Sequence, residues 1–93
     1  MTGGPPPGPD LRDRLRELVQ ESAGIPASLV TDSASLRETL ALDSLSMAAL
    51  QVNIESAFKI TLSYDELCAA DRFDRVAEVV EAEVRRSHGV AGR

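Results

Sequence analysis

The sequence predicts a small all-α protein: an antiparallel bundle of three main helices and one short helix, with a long loop between the first two. Apolar residues repeat at spacings of three and four along three segments, as they do on one face of a helix. Capping residues stand where these segments begin or end. The one short β-branched stretch, residues 60–62, has no second strand with which it could pair, so it is interpreted as a buried connector.

The first helix is predicted over residues 11–23. Asp10 suits its N-cap, Gly24 suits the position after its last turn, and Pro26 prevents the helix from resuming at once. Its apolar positions share one face: Leu11, Leu15, Leu18 and Val19. These four side chains are therefore predicted to be in the core.

The connection over residues 25–43 is long for a helical bundle, but apolar residues occur along its whole length. We therefore expect it to lie across the core. Ser35 is a candidate cap for one helical turn near residues 36–40, and Glu38 is the matching residue of a capping box.

The second helix begins after Asp43, whose carboxylate is expected to accept a hydrogen bond from the amide of Ser46. It is predicted to end near Lys59, because a basic side chain is favourable at a helix C-terminus. The predicted buried face consists of Met47, Leu50, Ile54, Ala57 and Phe58. The predicted opposite face consists of Ser44, Ala48, Gln51, Val52 and Glu55.

Ser63 and Glu66 form a capping box that predicts a short third helix. Its inner side is expected to hold Tyr64, Leu67 and Cys68. Asp74 is the predicted N-cap of the fourth helix. The inner face of that helix is expected to hold Val76, Val79, Val80 and Val84.

The length of 93 residues suits a single domain, predicted over residues 10–86. Residues 1–9 are rich in Gly and Pro and are predicted to be a disordered tail. Residues 87–93 contain two glycines and are predicted to be a flexible tail. No apolar run is long enough to span a bilayer or to act as a signal peptide, so we expect a cytoplasmic protein. We also expect a monomer that does not bind membranes.

The charge of the chain argues against a nucleic-acid partner. The net charge is −5, and residues 31–84 carry eleven acidic and four basic side chains. Such a surface repels phosphate backbones and attracts basic protein surfaces. The charge thus favours a protein partner or simple solubility.

The residues offer no catalytic set and no metal site. His88 is the only histidine and falls in the predicted tail, whereas general-base catalysis needs a group that is held in place. Cys68 is the only cysteine, which excludes an internal disulfide and a zinc pattern. We therefore predict a protein that is not an enzyme.

Ser44 is the residue to which the sequence points. At the start of a helix its hydroxyl lies beside free backbone amides at the positive end of the helix dipole, where an anion such as a phosphodiester is stabilised. Asp43 adds a carboxylate that the metal or a basic patch of another enzyme can engage. Taken alone, Asp43-Ser44-Leu45 is better explained as an ordinary capped helix start.

The wider context resembles the acyl carrier protein family. The resemblance rests on residues 40–45, the apolar positions Leu50, Ile54 and Phe58, the long loop and the short third helix, and it covers residues 11–84. It implies that Ser44, with Asp43 before it, receives 4′-phosphopantetheine from coenzyme A through a separate magnesium-dependent phosphopantetheinyl transferase. The thiol of that arm then carries an acyl group as a thioester.

Two departures from many carriers of fatty acid synthesis affect the expected pathway. Acidic residues that commonly follow the serine are replaced, so an apolar rim of Leu45, Ala48 and Val52 remains, with Glu55 as the one acidic residue of that helix. Ala41 stands where glycine is frequent. These differences favour a free-standing carrier of polyketide or related natural-product biosynthesis, with this rim and Glu55 as the partner-binding face.

The expected partners are the transferase together with an acyltransferase, a ketosynthase or an adenylating enzyme of the pathway. One alternative is a free-standing peptidyl or aminoacyl carrier, although the glycine pair that precedes the serine in many peptidyl carriers is missing. Another alternative, of a different class, is a helical adaptor that carries no prosthetic group. The adaptor would explain the acidity and the apolar rim, but it would give Asp43 and Ser44 no role.

Overall fold

The computed structural model describes residues 9–91, which form four α-helices and one 3₁₀ turn. The helices are α1 (Pro9–Ala23), α2 (Ser44–Phe58), α3 (Tyr64–Ala70) and α4 (Phe73–Ala91), and the 3₁₀ turn covers Ala27–Leu29. Among the described residues the one extended pairing is an isolated bridge between Ser35 and Arg72. The predicted all-α bundle with a long first loop is confirmed.

The outer ends of the first and last helices differ from the prediction. α1 begins at Pro9, a residue type that is tolerated in the first turn of a helix. Asp10 therefore lies inside the helix and is not its N-cap. The predicted tail covered residues 1–9; Pro9 belongs to α1, and residues 1–8 lie outside the described residues. α4 continues through Ala91 where a tail was expected, and Arg86 supports the extension with two hydrogen bonds to Glu83.

Most of the side chains that were predicted for the inner faces of α1 and α4 are buried in the core. All four predicted α1 residues are buried, and Phe73 at the start of α4 is among the most deeply buried side chains. Arg16 of α1 holds this region together, because its guanidinium lies over the Phe73 ring, 4.7 Å from the centroid. Its Nε donates to the Val30 carbonyl at 2.7 Å, and its Nη2 donates to Asp32 Oδ1, also at 2.7 Å.

The buried face of α2 is rotated relative to the prediction. Met47, Leu50 and Ile54 are buried as expected, but Ala57 is exposed. Ala48, Gln51 and Glu55, which were expected to point outward, are half-buried. The cause is the connection to α3, whose buried residues Ile60 and Leu62 cover the Gln51 and Glu55 side of the helix.

The helix caps confirm some predictions and correct others. Ser63 and Glu66 form the complete capping box of α3, with both hydrogen bonds at 3.0 Å. Asp74 is not the N-cap of α4, because the helix already begins at Phe73. Instead, the amide of Asp74 donates to the Asp32 carbonyl at 2.8 Å, and its carboxylate pairs with Arg72 at 2.7 Å. These contacts draw the start of α4 onto the first loop.

One of the three side chains that were predicted to lie on the inner side of α3 is exposed. Leu67 is buried and Cys68 half-buried, but Tyr64 is exposed. Tyr64 is the first residue of α3, and its hydroxyl group favours contact with water over burial in the core.

The long first loop lies across the core, as predicted. Its side chains Val30, Ala34, Leu36 and Leu42 are buried. Ser35 caps a turn over residues 36–39 by accepting a hydrogen bond from the Glu38 amide at 3.0 Å. The predicted box is not formed, because the Ser35 amide donates to Thr39 Oγ1 at 3.1 Å instead of to Glu38.

Ala41 has the left-handed conformation that glycine adopts without strain, with φ of +58°. We expect Ala41→Gly to raise the free energy of unfolding by about 0.5–1 kcal/mol, because relief of about 1–2 kcal/mol of strain outweighs the added entropy of the unfolded chain. Urea denaturation of both proteins measures the change. Ala48→Gly, inside α2, serves as the control and should be destabilising. Equal losses in the two variants would contradict this assignment of strain to Ala41.

Candidate functional site

The N-terminus of α2 is built as the sequence predicts. Asp43 is the N-cap in an extended conformation, and its Oδ1 accepts a hydrogen bond from the Ser46 amide at 2.8 Å. The Asp43 carbonyl accepts the Met47 amide at 2.9 Å, which begins the helical pattern. The hydrogen bond from the Ser46 amide lowers the pKa of the Asp43 carboxyl group, and the nearby Ser46 hydroxyl and Leu45 amide lower it further. Asp43 is therefore ionised at neutral pH, and it directly precedes Ser44.

Ser44 is the first residue of α2 and is exposed. It directly follows the N-cap, so its hydroxyl lies at the positive end of the helix dipole, as predicted. A visiting enzyme can reach this residue without opening the bundle. The arrangement suits a hydroxyl that becomes a phosphodiester, because the helix terminus stabilises the anion that is formed.

Buried residues on both sides fix the position of Ser44. Leu42, two positions before it, is 5% exposed, and its amide donates to the Leu36 carbonyl at 2.9 Å. Met47, three positions after it, is 1% exposed. Ser44 is therefore an exposed residue in a backbone segment that is anchored to the core on both sides.

The predicted partner face is only partly apolar and exposed. Leu45 is 79% exposed and Val52 is 56% exposed, and both lie on α2 next to the half-buried Ala48. Glu55 is used inside the protein: Oε1 accepts from Gln51 Nε2 at 3.0 Å and Oε2 accepts from the Leu62 amide at 2.9 Å. The rim of Leu45, Ala48 and Val52 is thus available for contact, whereas the Glu55 carboxylate already has two donors.

Tyr64, which was predicted to lie on the inner side of α3, is close enough to the start of α2 to be affected by the charge of Asp43. Desolvation raises the pKa of its hydroxyl group, the neighbouring Cys68 and the charge of Asp43 raise it further, and Arg37 lowers it. The hydroxyl therefore remains a neutral donor at neutral pH, within the electrostatic range of Asp43. The signal in the sequence was its position directly after the Ser63 cap, where a side chain lies at the edge of a short helix.

The other surfaces offer no competing centre in the part of the chain that the structure describes. Between residues 9 and 91 no group of three or more His, Cys, Asp or Glu side chains could hold a metal ion. An open groove of about 470 Å³ lies between α3 and α4, and its lining includes Glu66, Ala70, Arg75 and Val79 but no residue of α2. No helix in this part is long and apolar enough to cross a membrane.

Comparison with known proteins identifies the family. A family model described as "Phosphopantetheine attachment site" matches residues 13–82, which include the whole of α2 and its N-cap. The acyl carrier protein of Thermobifida fusca (strain YX) is 36% identical over 58 residues, which cover 62% of this chain and 73% of that protein. The acyl carrier protein of Rubrobacter xylanophilus is 31% identical over 72 residues, covering 77% of this chain and 85% of that protein.

A further match is to one part of a much longer protein. Clavatol synthase claF of Penicillium crustosum is 31% identical over 77 residues, which cover 83% of this chain but 3% of the synthase. The family model covers most of the chain, and the helical bundle with an exposed serine at the start of α2 fits it. The chain therefore belongs to the acyl carrier protein family, whose members are non-catalytic carriers with a covalently attached 4′-phosphopantetheine group.

Proposed function

We propose that Ser44 is the residue to which 4′-phosphopantetheine is attached. In the reaction, the Ser44 oxygen attacks the phosphorus of coenzyme A that bears the pantetheine arm, and the pyrophosphate bond breaks. Adenosine 3′,5′-bisphosphate leaves, and the hydroxyl proton passes to a base of the transferase. The observation that carries the proposal is an exposed serine hydroxyl at the capped start of α2, within the region matched by the family model.

The intact mass of the protein tests this assignment. After incubation with coenzyme A, magnesium and a promiscuous phosphopantetheinyl transferase, we expect the mass of one phosphopantetheine group to be gained. Ser44→Ala should gain nothing, whereas the matched control Ser46→Ala should still be loaded. An unmodified wild-type protein would favour the adaptor without a prosthetic group, and loading of Ser44→Ala would refute the choice of residue.

We further propose that the loaded protein, acting as a cytoplasmic monomer, carries acyl intermediates of polyketide or related natural-product biosynthesis. The similarity to a synthase named for one product, clavatol, supports this pathway class. A flexible arm raises the effective concentration of its cargo at each enzyme that the carrier visits. A ketosynthase or acyltransferase gene beside this one would support acyl cargo, and an adenylating enzyme gene would support an aminoacyl carrier instead.

The apolar rim of Leu45, Ala48 and Val52 is the proposed docking face for the transferase and the pathway enzymes. We expect Val52→Asp to lower kcat/KM for phosphopantetheine loading by about 10-fold, because a charge in an apolar contact costs on the order of 1–2 kcal/mol. Steady-state kinetics with the carrier as the varied substrate measure the effect.

Ala82→Asp on α4 is the control, since it adds the same charge at an exposed apolar residue of another helix. It should change kcat/KM less than twofold. If added salt abolishes loading while Val52→Asp leaves it unchanged, the docking is electrostatic and the apolar rim is not its basis.

A further inference from the structure

Asp71, at the corner between α3 and α4, has a backbone conformation that L-residues rarely adopt, with φ of +59° and ψ of −55°. The amide of Arg72 donates to the Ala70 carbonyl at 2.6 Å, so Asp71 is the central residue of a γ-turn with positive φ, which is rare and strained. Such strain persists where surrounding contacts require it. For Asp71, these contacts are hydrogen bonds to the first loop.

Both polar groups of Asp71 point to the first loop. Its carboxylate accepts hydrogen bonds from the Ser35 hydroxyl and from the Arg37 amide at 3.3 Å, and the Arg37 guanidinium lies 3.4 Å away. Its carbonyl accepts the Leu36 amide at 2.9 Å. Partial burial opposes ionisation of this carboxyl group, but the hydrogen bonds from Ser35 and Arg37 outweigh it and lower the pKa, so the group is charged at neutral pH.

Ser35 connects Asp71 to the turn that precedes α2. Its hydroxyl accepts the Glu38 amide at 3.0 Å, and its carbonyl accepts the amides of Thr39 at 3.0 Å and Leu40 at 2.9 Å. The next residue, Leu36, closes the turn by accepting the Leu42 amide at 2.9 Å. Asp43 and Ser44 follow directly, so a short series of hydrogen bonds joins the Asp71 carboxylate to the start of α2.

We propose that Ser35 and Asp71 are positioning residues for the modification of Ser44. The inference rests on the proposed function of Ser44. A transferase binds productively only those carrier molecules whose serine oxygen is held where it can meet the phosphorus of coenzyme A, so the apparent KM for the carrier rises as the fraction of molecules in that geometry falls. The Ser35–Asp71 hydrogen bond keeps the turn over residues 35–42 in one geometry, so the transferase meets a serine that is already in place.

Loading kinetics of the full chain test this role, with coenzyme A as the donor and the carrier as the varied substrate. We expect Ser35→Ala to raise KM for the carrier about 5- to 10-fold with kcat changed less than twofold. Ser35→Thr retains the hydroxyl and should restore KM to within twofold of wild type. Asp71→Asn tolerates positive φ but loses the charge, so an intermediate KM is expected. Amide hydrogen exchange at Leu42 should be faster in Ser35→Ala.

Val80→Ala is the control for stability, because it truncates a buried side chain of α4 and removes no hydrogen bond of the loop. It should leave KM unchanged at a temperature where every variant is folded. An unchanged KM in Ser35→Ala, or an equal rise in Val80→Ala, would overturn the inference while Ser44 remained the attachment site. A wild-type protein that cannot be loaded would overturn the proposed function, and this inference with it.

Discussion

Phe73→Ala is expected to lower the free energy of unfolding by about 3–5 kcal/mol, the range found when a large buried aromatic side chain is truncated. Phe73 is 1% exposed, and its amide donates to the Ala34 carbonyl at 2.9 Å. Its ring also supports the guanidinium of Arg16, which in turn holds the carbonyl of Val30. Removal of the ring leaves a cavity where α1, α4 and the first loop meet. Urea denaturation followed by far-UV circular dichroism measures the loss.

A small domain has a total stability of roughly 5–15 kcal/mol, so this single change can remove much of it. Tyr64→Ala is the matched aromatic control. Because Tyr64 is 36% exposed, we expect its truncation to cost less than about 1 kcal/mol. If both variants were destabilised equally, Phe73 would not be the packing centre of the bundle.

The second large effect is expected for Glu55→Ala, at about 1.5–3 kcal/mol of lost stability. The Glu55 carboxylate accepts hydrogen bonds from the Leu62 amide and from the Gln51 side chain. Its removal leaves two partly buried donors without this acceptor. The connection between α2 and α3, with the buried Ile60 and Leu62, should then be held less firmly. Denaturation midpoints and hydrogen exchange of the Leu62 amide measure both consequences.

Two comparisons separate this role from surface charge. Glu55→Gln keeps an oxygen acceptor for the Leu62 amide and should lose less stability than Glu55→Ala. Glu78→Ala removes an exposed carboxylate that pairs with Arg75 on the same helix, which should cost no more than about 0.5 kcal/mol. If Glu55→Ala were as stable as Glu78→Ala, the carboxylate would be free to serve the docking face.

Local signals in the sequence were sufficient to predict the start of α2. Asp43 and Ser63 occupy N-cap positions whose hydrogen bonds involve residues three positions away, and such short-range chemistry is visible in a sequence. The 3–4 periodicity also identified the buried residues of α1. Placing Ser44 on the surface at a helix N-terminus required no knowledge of the tertiary fold.

Contacts between residues far apart in the sequence could not be predicted in this way. Ser35 and Asp71 are 36 positions apart, and the strained corner that joins them has no pattern in either segment. The stacking of Arg16 on Phe73 is a similar case, because Arg16 belongs to the polar face of α1. The inward role of Glu55 depends on the path of the chain after Lys59, which periodicity within α2 does not specify.

The most direct test of the central claim is tandem mass spectrometry of the loaded protein, with each fragment assigned to a position in the sequence. The account predicts that the phosphopantetheine mass is carried by fragments that contain Ser44, and by no fragment that lacks it. Attachment at Ser46, or at any serine outside the N-terminus of α2, would contradict it.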